Sequence, residues 1–302
     1  MTGGAKMENS IRVFNNYLIN EKKSSNNTIE SYMRDVLQFS NFCTQNNIKK
    51  ITKIDGKVMN NYLHYLTACN KSDATKLRII ASLRSFFRCL AAKGLYDGNP
   101  LDGINIKKNE KHLPGVLDEK EVVLLLSQPD GKDFKSIRDK AMLEVLYATG
   151  IKVSELIDLT VGEINLQIGI LSIKNGKKER MVPLYPAAVK SVANYLVNVR
   201  PAIVLEDNVD KLFTNMNGKP MSRQGFWKII KHYADTAGIQ KDITPHTLRH
   251  SFAAHLLENG AKLSDIKEML GHSDISSTQI YAQMMKNKYT SAYIKFHPMA
   301  NK

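Results

Sequence analysis

Residues 244–281 read TPHTLRHSFAAHLLENGAKLSDIKEMLGHSDISSTQIY, and this stretch places His246, Arg249, His272 and Tyr281 close together in the chain. Pro245 suits a first helical position and Thr244 its cap. Leu248, Phe252, Ala253, Leu256 and Leu257 follow at helical spacing. His246 and Arg249 are three residues apart and share one helix face. Gly260 ends that helix, a second runs from Leu263 to Leu270, and Gly271-His272 sits at its end. Asp274 to Ser277 is turn-like, with Tyr281 just beyond.

Arginine and histidine donate hydrogen bonds to phosphate oxygens, and a positioned tyrosine can act as a covalent nucleophile. Two histidines, an arginine and a tyrosine, with no cysteine and no carboxylate pair, suit phosphoryl transfer to tyrosine. Charge on the phosphate would then be met by side chains. Taken singly, these residues have plainer readings. His-x-x-Arg suits a solvated helix face, Gly-His a helix C-cap, and Tyr281 a core position. The rhythm of 263–281 also fits a DNA-reading helix pair without chemistry. The ordered combination favours the site.

His-Thr-Leu-Arg-His-Ser-Phe-Ala, then Leu-Gly-His-Ser, then Thr-Gln-Ile-Tyr resembles the tyrosine recombinases of the Xer and phage-integrase type. The resemblance continues upstream through Arg138–Leu156 and Lys178–Leu184, and downstream to His297-Pro298. It covers nearly the whole chain from Met7. Met1–Lys6 (MTGGAK) reads as an added or loose start outside the fold.

The net charge of +14 points to a polyanion, of which nucleic acid is the commonest. Residues 1–103 carry 15 basic and 8 acidic side chains and residues 104–302 carry 28 and 21, so each part is net +7 and each can touch DNA. Cys43, Cys69 and Cys89 are odd in number and lack metal-site spacing, which fits reduced, half-buried helix residues of a cytoplasmic protein. Neither a signal peptide nor a membrane span is visible.

Four amphipathic helices are expected before Gly94: one over Ser10–Asn20, one from Asn27-Thr28, one opened by Asp55, and one capped by Ser72 or Asp73. This part resembles the four-helix, SAM-like core-binding domain of the family, which implies that it covers one face of a duplex. On or near the fourth helix, Lys76, Arg78, Arg84 and Arg88 are the candidates for phosphate contact, against the alternative of an ordinary solvated face. The stretch 99–114, NPLDGINIKKNEKHLP, reads as a break. The expected domains are therefore 7–103, a linker at 104–115, and a catalytic domain at 116–302 with a tail helix. A linker between two basic domains would allow a clamp around DNA.

In the second domain, helices are expected from Asp118 to Leu126, Ile137 to Ala148, Val153 to Leu159, Ala187 to Val199 and Arg223 to Ala237. Strands are expected over Ile168–Ile173 and Arg180–Leu184, joined by an Asn175-Gly176 turn and closed by Pro186. The fold class is mainly α, with a small antiparallel sheet in the α-rich catalytic domain.

The resemblance implies a site of two arginines, two histidine-class residues, a lysine and a tyrosine, without metal or cofactor. Tyr281 would attack the scissile phosphate, giving a 3′-phosphotyrosyl bond and a 5′-hydroxyl. Arg249 and His272 would hold the non-bridging oxygens, and His246 would help accept the tyrosine proton. The general-acid lysine matches Lys174 or Lys177, because the turn is one residue shorter than the family's Gly-Lys-Gly-x-Lys-x-Arg; Lys178 suits a second, structural lysine. Arg138-Asp139 would be structural, and Glu155 would orient neighbouring basic side chains.

The departure from the family is Lys152. Thr149-Gly150-Ile151-Lys152-Val153-Ser154-Glu155-Leu156 stands where the pattern is Thr-Gly-x-Arg-x-Ser-Glu-Leu. Lysine keeps the charge and loses the planar fork. The expectation is a weakened enzyme that still binds DNA. Two origins fit: a substitution introduced to trap a DNA complex, or a natural lysine in a slow or regulated recombinase.

The implied partners are duplex DNA with a specific recombination site, resolved through a Holliday junction, and further copies of the chain in a tetramer. The tetramer would be joined by the tail, where Tyr289, Ala292, Tyr293 and Phe296 have helical spacing. A partner recombinase or accessory protein is also compatible. The competing readings are a DNA-binding architectural or regulatory protein on the same fold, a relaxing topoisomerase, and a helical interaction protein without salt-sensitive DNA binding.

Overall fold

A computed structural model describes residues 7–104, 115–175, 178–205, 209–272, 278–279 and 281–282, with backbone alone at 175 and 178. The chain divides into two compact units, Met1–Lys111 and His112–Lys302.

The first unit is helical. α1 (Met7–Asn16) runs into a π-helical turn at Tyr17–Glu21, and α2 (Asn26–Gln45), α3 (Gly56–Ala68) and α4 (Asp73–Ala92) follow. Each of the last three starts where a short polar side chain accepts an orphan backbone N–H. Ser25 takes that of Thr28, Asp55 that of Val58 and Ser72 that of Thr75. The second helix thus begins one residue before the Asn27-Thr28 expectation, because Ser25 supplies its cap. The apolar faces meet in one core around Phe14, Leu18, Phe39, Tyr62, Phe86 and Phe87. Phe14 and Phe86 meet edge-on at 5.3 Å, and Phe39 and Tyr62 at 4.9 Å. Each such buried ring stabilises the bundle by about 1.5–3 kcal/mol. Cys43 and Cys89 are buried here, while Cys69 is exposed rather than half-buried because it lies just past the end of α3.

The second unit comprises α5 (Glu119–Ser127), α6 (Phe134–Thr149), α7 (Val153–Asp158), a three-stranded sheet, α8 (Pro186–Asn198), α9 (Arg200–Ile203), α10 (Arg223–Thr236), α11 (Pro245–Glu258) and α12 (Leu263–Leu270). The sheet is antiparallel in the order β1 (Ile164–Asn165), β2 (Ile170–Asn175), β3 (Lys178–Pro183). Its strands sit differently from the sequence expectation. The ladder runs out to Asn175↔Lys178, so Asn175 is a strand residue and the connection lies at 176–177, outside the described residues. Ile168 falls in the β1–β2 turn, where Gly169 has φ 64°. Pro186 closes no strand; it opens α8, where a missing N–H costs nothing.

α6 is the centre of this unit. Ala141, Met142, Leu143, Val145 and Leu146 are fully buried, with α8 and α11 packed on it. It stops at Gly150, whose φ is 58°. A Cβ there would lie 2.2 Å from Cδ1 of Phe252 on α11, so only glycine lets the two helices approach this closely. Among the described residues, no helix is long and apolar enough to cross a membrane.

Candidate active site

α11 begins as its sequence dictates: Pro245 is at the first turn and the Thr244 hydroxyl accepts the Thr247 N–H. It carries His246 on an exposed position and buries Arg249, which is 4% exposed. The Arg249 guanidinium donates to the Gly150 carbonyl at 2.5 Å, to the Leu270 carbonyl at 2.8 Å, and to His272 Nε2 at 2.9 Å. The backbone ends of α6 and α12 therefore aim Arg249. Burial weakens its hold on its proton, opposed by the nearby Glu155 and Tyr281.

Arginine is donor-only, so His272 Nε2 must be the acceptor in that contact. His272 then carries its proton on Nδ1 and donates it to the Thr278 hydroxyl at 3.0 Å. The neutral form suits its surroundings. Burial, then Arg249, Lys152 and Arg180, push His272 down to about 4, against the opposing Glu155.

Thr278, Gln279, Tyr281 and Ala282 are helical, and Tyr281 is 1% exposed, packed with Phe252, Ala253, Ile266 and Leu270. Burial raises its phenol pKa and Arg249 opposes the rise. The Tyr281 hydroxyl is 2.9 Å from Nδ1 of His250, and the rings lie 5.6 Å apart. His250 falls inside the His-Thr-Leu-Arg-His motif, where the family resemblance implies no role for it. A signal was present, since His250 stands four residues after His246 and so on the same face. The rings of His246 and His250 are 6.4 Å apart.

Lys152 caps α7. Its backbone N–H donates to Glu155 Oε2 at 2.8 Å, and among the described residues its ammonium forms no ion pair. Lys152 and Lys174 line one cavity with Glu155, Asp158 and Glu163. Lys177 and the Lys178 side chain lie outside the described residues. Glu155 does orient a basic residue: it accepts from Arg180 at 3.1 and 2.8 Å. Burial works to raise the Glu155 pKa, but Arg180 and the Lys152 N–H hold it below the usual carboxylate range. Arg180 also donates to the Met269 carbonyl at 2.8 Å. It passes so near Gly271 that a Cβ there would sit 2.7 Å from Nη1. Arg138 and Asp139 form a buried pair at 2.6 Å, and Tyr233 donates to Asp139 at 3.2 Å.

In the first unit, three of the four candidate DNA contacts are held by internal partners. Arg78 binds Asp35 at 2.5 Å and Ser31 at 2.8 Å, Arg84 donates to the Ile104 carbonyl at 2.6 Å, and Lys76 pairs with Asp73 at 2.8 Å. Arg88 is exposed and shares a concavity with Arg84, Lys22, Tyr17 and Tyr32, where Lys22 sits 5.3 Å over the Tyr32 ring.

Residues 115–288 match the phage integrase family, and residues 11–94 match the phage integrase N-terminal SAM-like domain. The chain is 42% identical over 296 residues to a tyrosine recombinase XerD of Halalkalibacterium halodurans, covering 97% of this chain and 99% of that protein. It is similar to the crystal structure of a XerA recombinase, with a TM-score of 0.54, 26% identity, and 97% and 99% of the two chains covered. Its fold is also like that of a XerH site-specific recombinase bound to difH substrate, with a TM-score of 0.69, 24% identity, and coverage of 84% and 75%.

Proposed function

The chain belongs to the phage integrase family, as a tyrosine recombinase of Xer type, and on that premise we propose that it cuts and rejoins duplex DNA at a specific site. One observation carries the reading: Tyr281 hydrogen-bonds His250 and Arg249 hydrogen-bonds His272, and the adjacent residues Arg249 and His250 of α11 bring the two pairs together. Tyr281 attacks the scissile phosphate, forming a 3′-phosphotyrosyl bond and releasing a 5′-hydroxyl. The bond retains the energy of the phosphodiester, so rejoining needs no nucleotide. Arg249 and His272 receive the phosphate, His246 helps to accept the tyrosine proton, and Lys174 or Lys177 protonates the leaving oxygen. A phosphate entering between Arg249 and His272 takes over the guanidinium contact now accepted by His272, and its charge favours the protonated imidazole.

Residues 7–103 form the core-binding domain, 104–115 the linker and 116–302 the catalytic domain. Both domains hold the duplex in the cytoplasm, with Lys76, Arg78, Arg84 and Arg88 on the DNA side of the first. Four copies joined through the tail synapse two sites and pass through a Holliday junction, with or without a partner recombinase or accessory protein. No cofactor takes part.

Lys152 slows this chain. Losing one transition-state donor costs ~10²–10³ in rate, and lysine replaces a two-pronged donor by a point charge. The same observation favours a second reading, a DNA-binding protein that has lost catalysis. A nicked suicide duplex, built on a site selected from a randomised pool, separates the two. The recombinase gives a denaturant-resistant adduct that strengthens with Lys152→Arg and vanishes with Tyr281→Phe. The binding protein gives none in either form.

A further inference from the structure

We propose that His250 is a catalytic residue, and that its Nδ1 takes the phenol proton of Tyr281 as the tyrosine oxygen attacks phosphorus. The inference rests on the recombinase reading and moves the proton acceptor from His246 to His250. The geometry is direct. Nδ1 already lies 2.9 Å from the nucleophilic oxygen, within the reach required of a general base. His246, by contrast, is exposed and one helical turn away, its ring 6.4 Å from that of His250. α11 holds both histidines and Arg249, so the base and the phosphate-binding arginine are set by one rigid element.

The surroundings make this base conditional on substrate. The titratable and charged groups that bear on His250 are His246 and Arg249 from its own helix, His272 from the end of α12, and Tyr281. Burial and these basic neighbours push His250 down to about 4. Without DNA it is a neutral imidazole that accepts the phenol hydrogen bond without removing the proton, and Tyr281 stays un-ionised. A scissile phosphodiester brings one negative charge beside Arg249 and gathers more as the oxygen attacks. That charge offsets the basic neighbours and makes protonated His250 favourable. The nucleophile is thus activated by the group that it will attack, and is idle toward stray electrophiles otherwise.

The step balances. The Tyr281 O–H proton goes to His250 Nδ1, the oxygen–phosphorus bond forms, the phosphorus–5′-oxygen bond breaks, and the departing oxygen takes a proton from the hairpin lysine. Rejoining reverses each transfer, with protonated His250 returning its proton to the leaving phenol.

The test uses the full chain carrying Lys152→Arg and a suicide duplex, built on the selected site, with sulfur at the 5′-bridging position. The thiolate leaves without a proton, which isolates the attack and its base. His250→Asn places an amide near Nδ1, where it can accept the phenol hydrogen bond but cannot hold the proton. His250→Asn and His250→Ala are expected to form the adduct ~10²–10⁴-fold more slowly at pH 7, with DNA affinity unchanged within about threefold. Between pH 6 and 9 their rates should climb by roughly tenfold per unit, as hydroxide replaces the base, while the His250 chain stays flat. His246→Asn should keep the flat profile. An adduct that forms as fast with His250→Asn as with His250 would reduce the residue to positioning and overturn the proposal. A faster adduct would make His250 a latch and overturn it equally. If the His250 chain itself gives no Tyr281-dependent adduct, the recombinase reading fails and the inference falls with it.

Discussion

Arg180 and Glu155 are joined by two parallel hydrogen bonds, of 3.1 Å from Nη1 and 2.8 Å from Nη2, that tie β3 to α7. Both side chains are about nine-tenths buried, at 11% and 10% exposure. The second Glu155 oxygen also receives the Lys152 N–H. One carboxylate therefore sets the position of the Lys152 backbone and of a strand beside α12.

Removing one partner of such a pair strands the other. Glu155→Ala should cost about 3–5 kcal/mol in unfolding free energy, and Glu155→Gln less, since it can still accept from Arg180. Because Glu155 is held below its ordinary value of 4.5 in the folded chain, its contribution is fully present above that pH and is lost as pH falls through the depressed value. Denaturant titration of the chain and both variants at pH 7 and pH 4 checks the size and the sign.

The two low-pKa histidines impose a different pH dependence. His250 and His272 sit near 4 folded against 6.5 unfolded, so the unfolded chain binds more protons between those values. Stability should be full above about pH 6.5 and decline as pH falls toward 4. His272→Asn should flatten part of that decline. A decline of equal slope in His250→Asn and His272→Asn as in the unsubstituted chain would place its origin elsewhere.

Gly150→Ala should destabilise the chain by about 1–3 kcal/mol or more, through both a positive φ and overlap with Phe252. It should also slow adduct formation, because the Gly150 carbonyl holds Arg249. Thermal unfolding and the suicide-duplex assay, run together, separate the two effects. Normal adduct rates in a destabilised variant would show that Arg249 does not need that carbonyl.

Arg78 and Arg88 should part company on mutation. Arg88→Ala should leave stability within about 0.5 kcal/mol and reduce the slope of log affinity against log salt by roughly 0.9, the mark of one lost phosphate contact. Arg78→Ala should cost stability first, because Asp35 is 1% exposed and loses its ion pair. Equal losses of salt slope in both would show that Arg78 leaves Asp35 when DNA binds.

The contrast between these arginines marks where the sequence stopped informing. Basic residues on an amphipathic helix can be counted from periodicity, but which of them meets a buried carboxylate depends on how α2 and α4 pack. Helix ends were legible wherever chemistry was local: Thr244-Pro245, Asp55, Ser72 and Asp118 all start helices as their side chains require. The strands were less so. β1 is two residues long, too short for any alternation, and the β2–β3 register places Asn175 in the ladder despite its turn-forming neighbour. His250 was only half legible, since helical spacing put it on the face of His246 and no more. Its partner lies 31 residues away, and nothing in helical spacing says that Tyr281 folds back onto it.

The central claim is that Tyr281 becomes covalently joined to DNA. The most direct measurement is mass-spectrometric mapping of the protein after reaction of the Lys152→Arg chain with a nicked suicide duplex and nuclease trimming. The account predicts a nucleotide remnant linked through its 3′-phosphate to the peptide containing Tyr281, in much smaller yield with Lys152 retained. A remnant on another residue, or tight DNA binding with no covalent product in either chain, would contradict it.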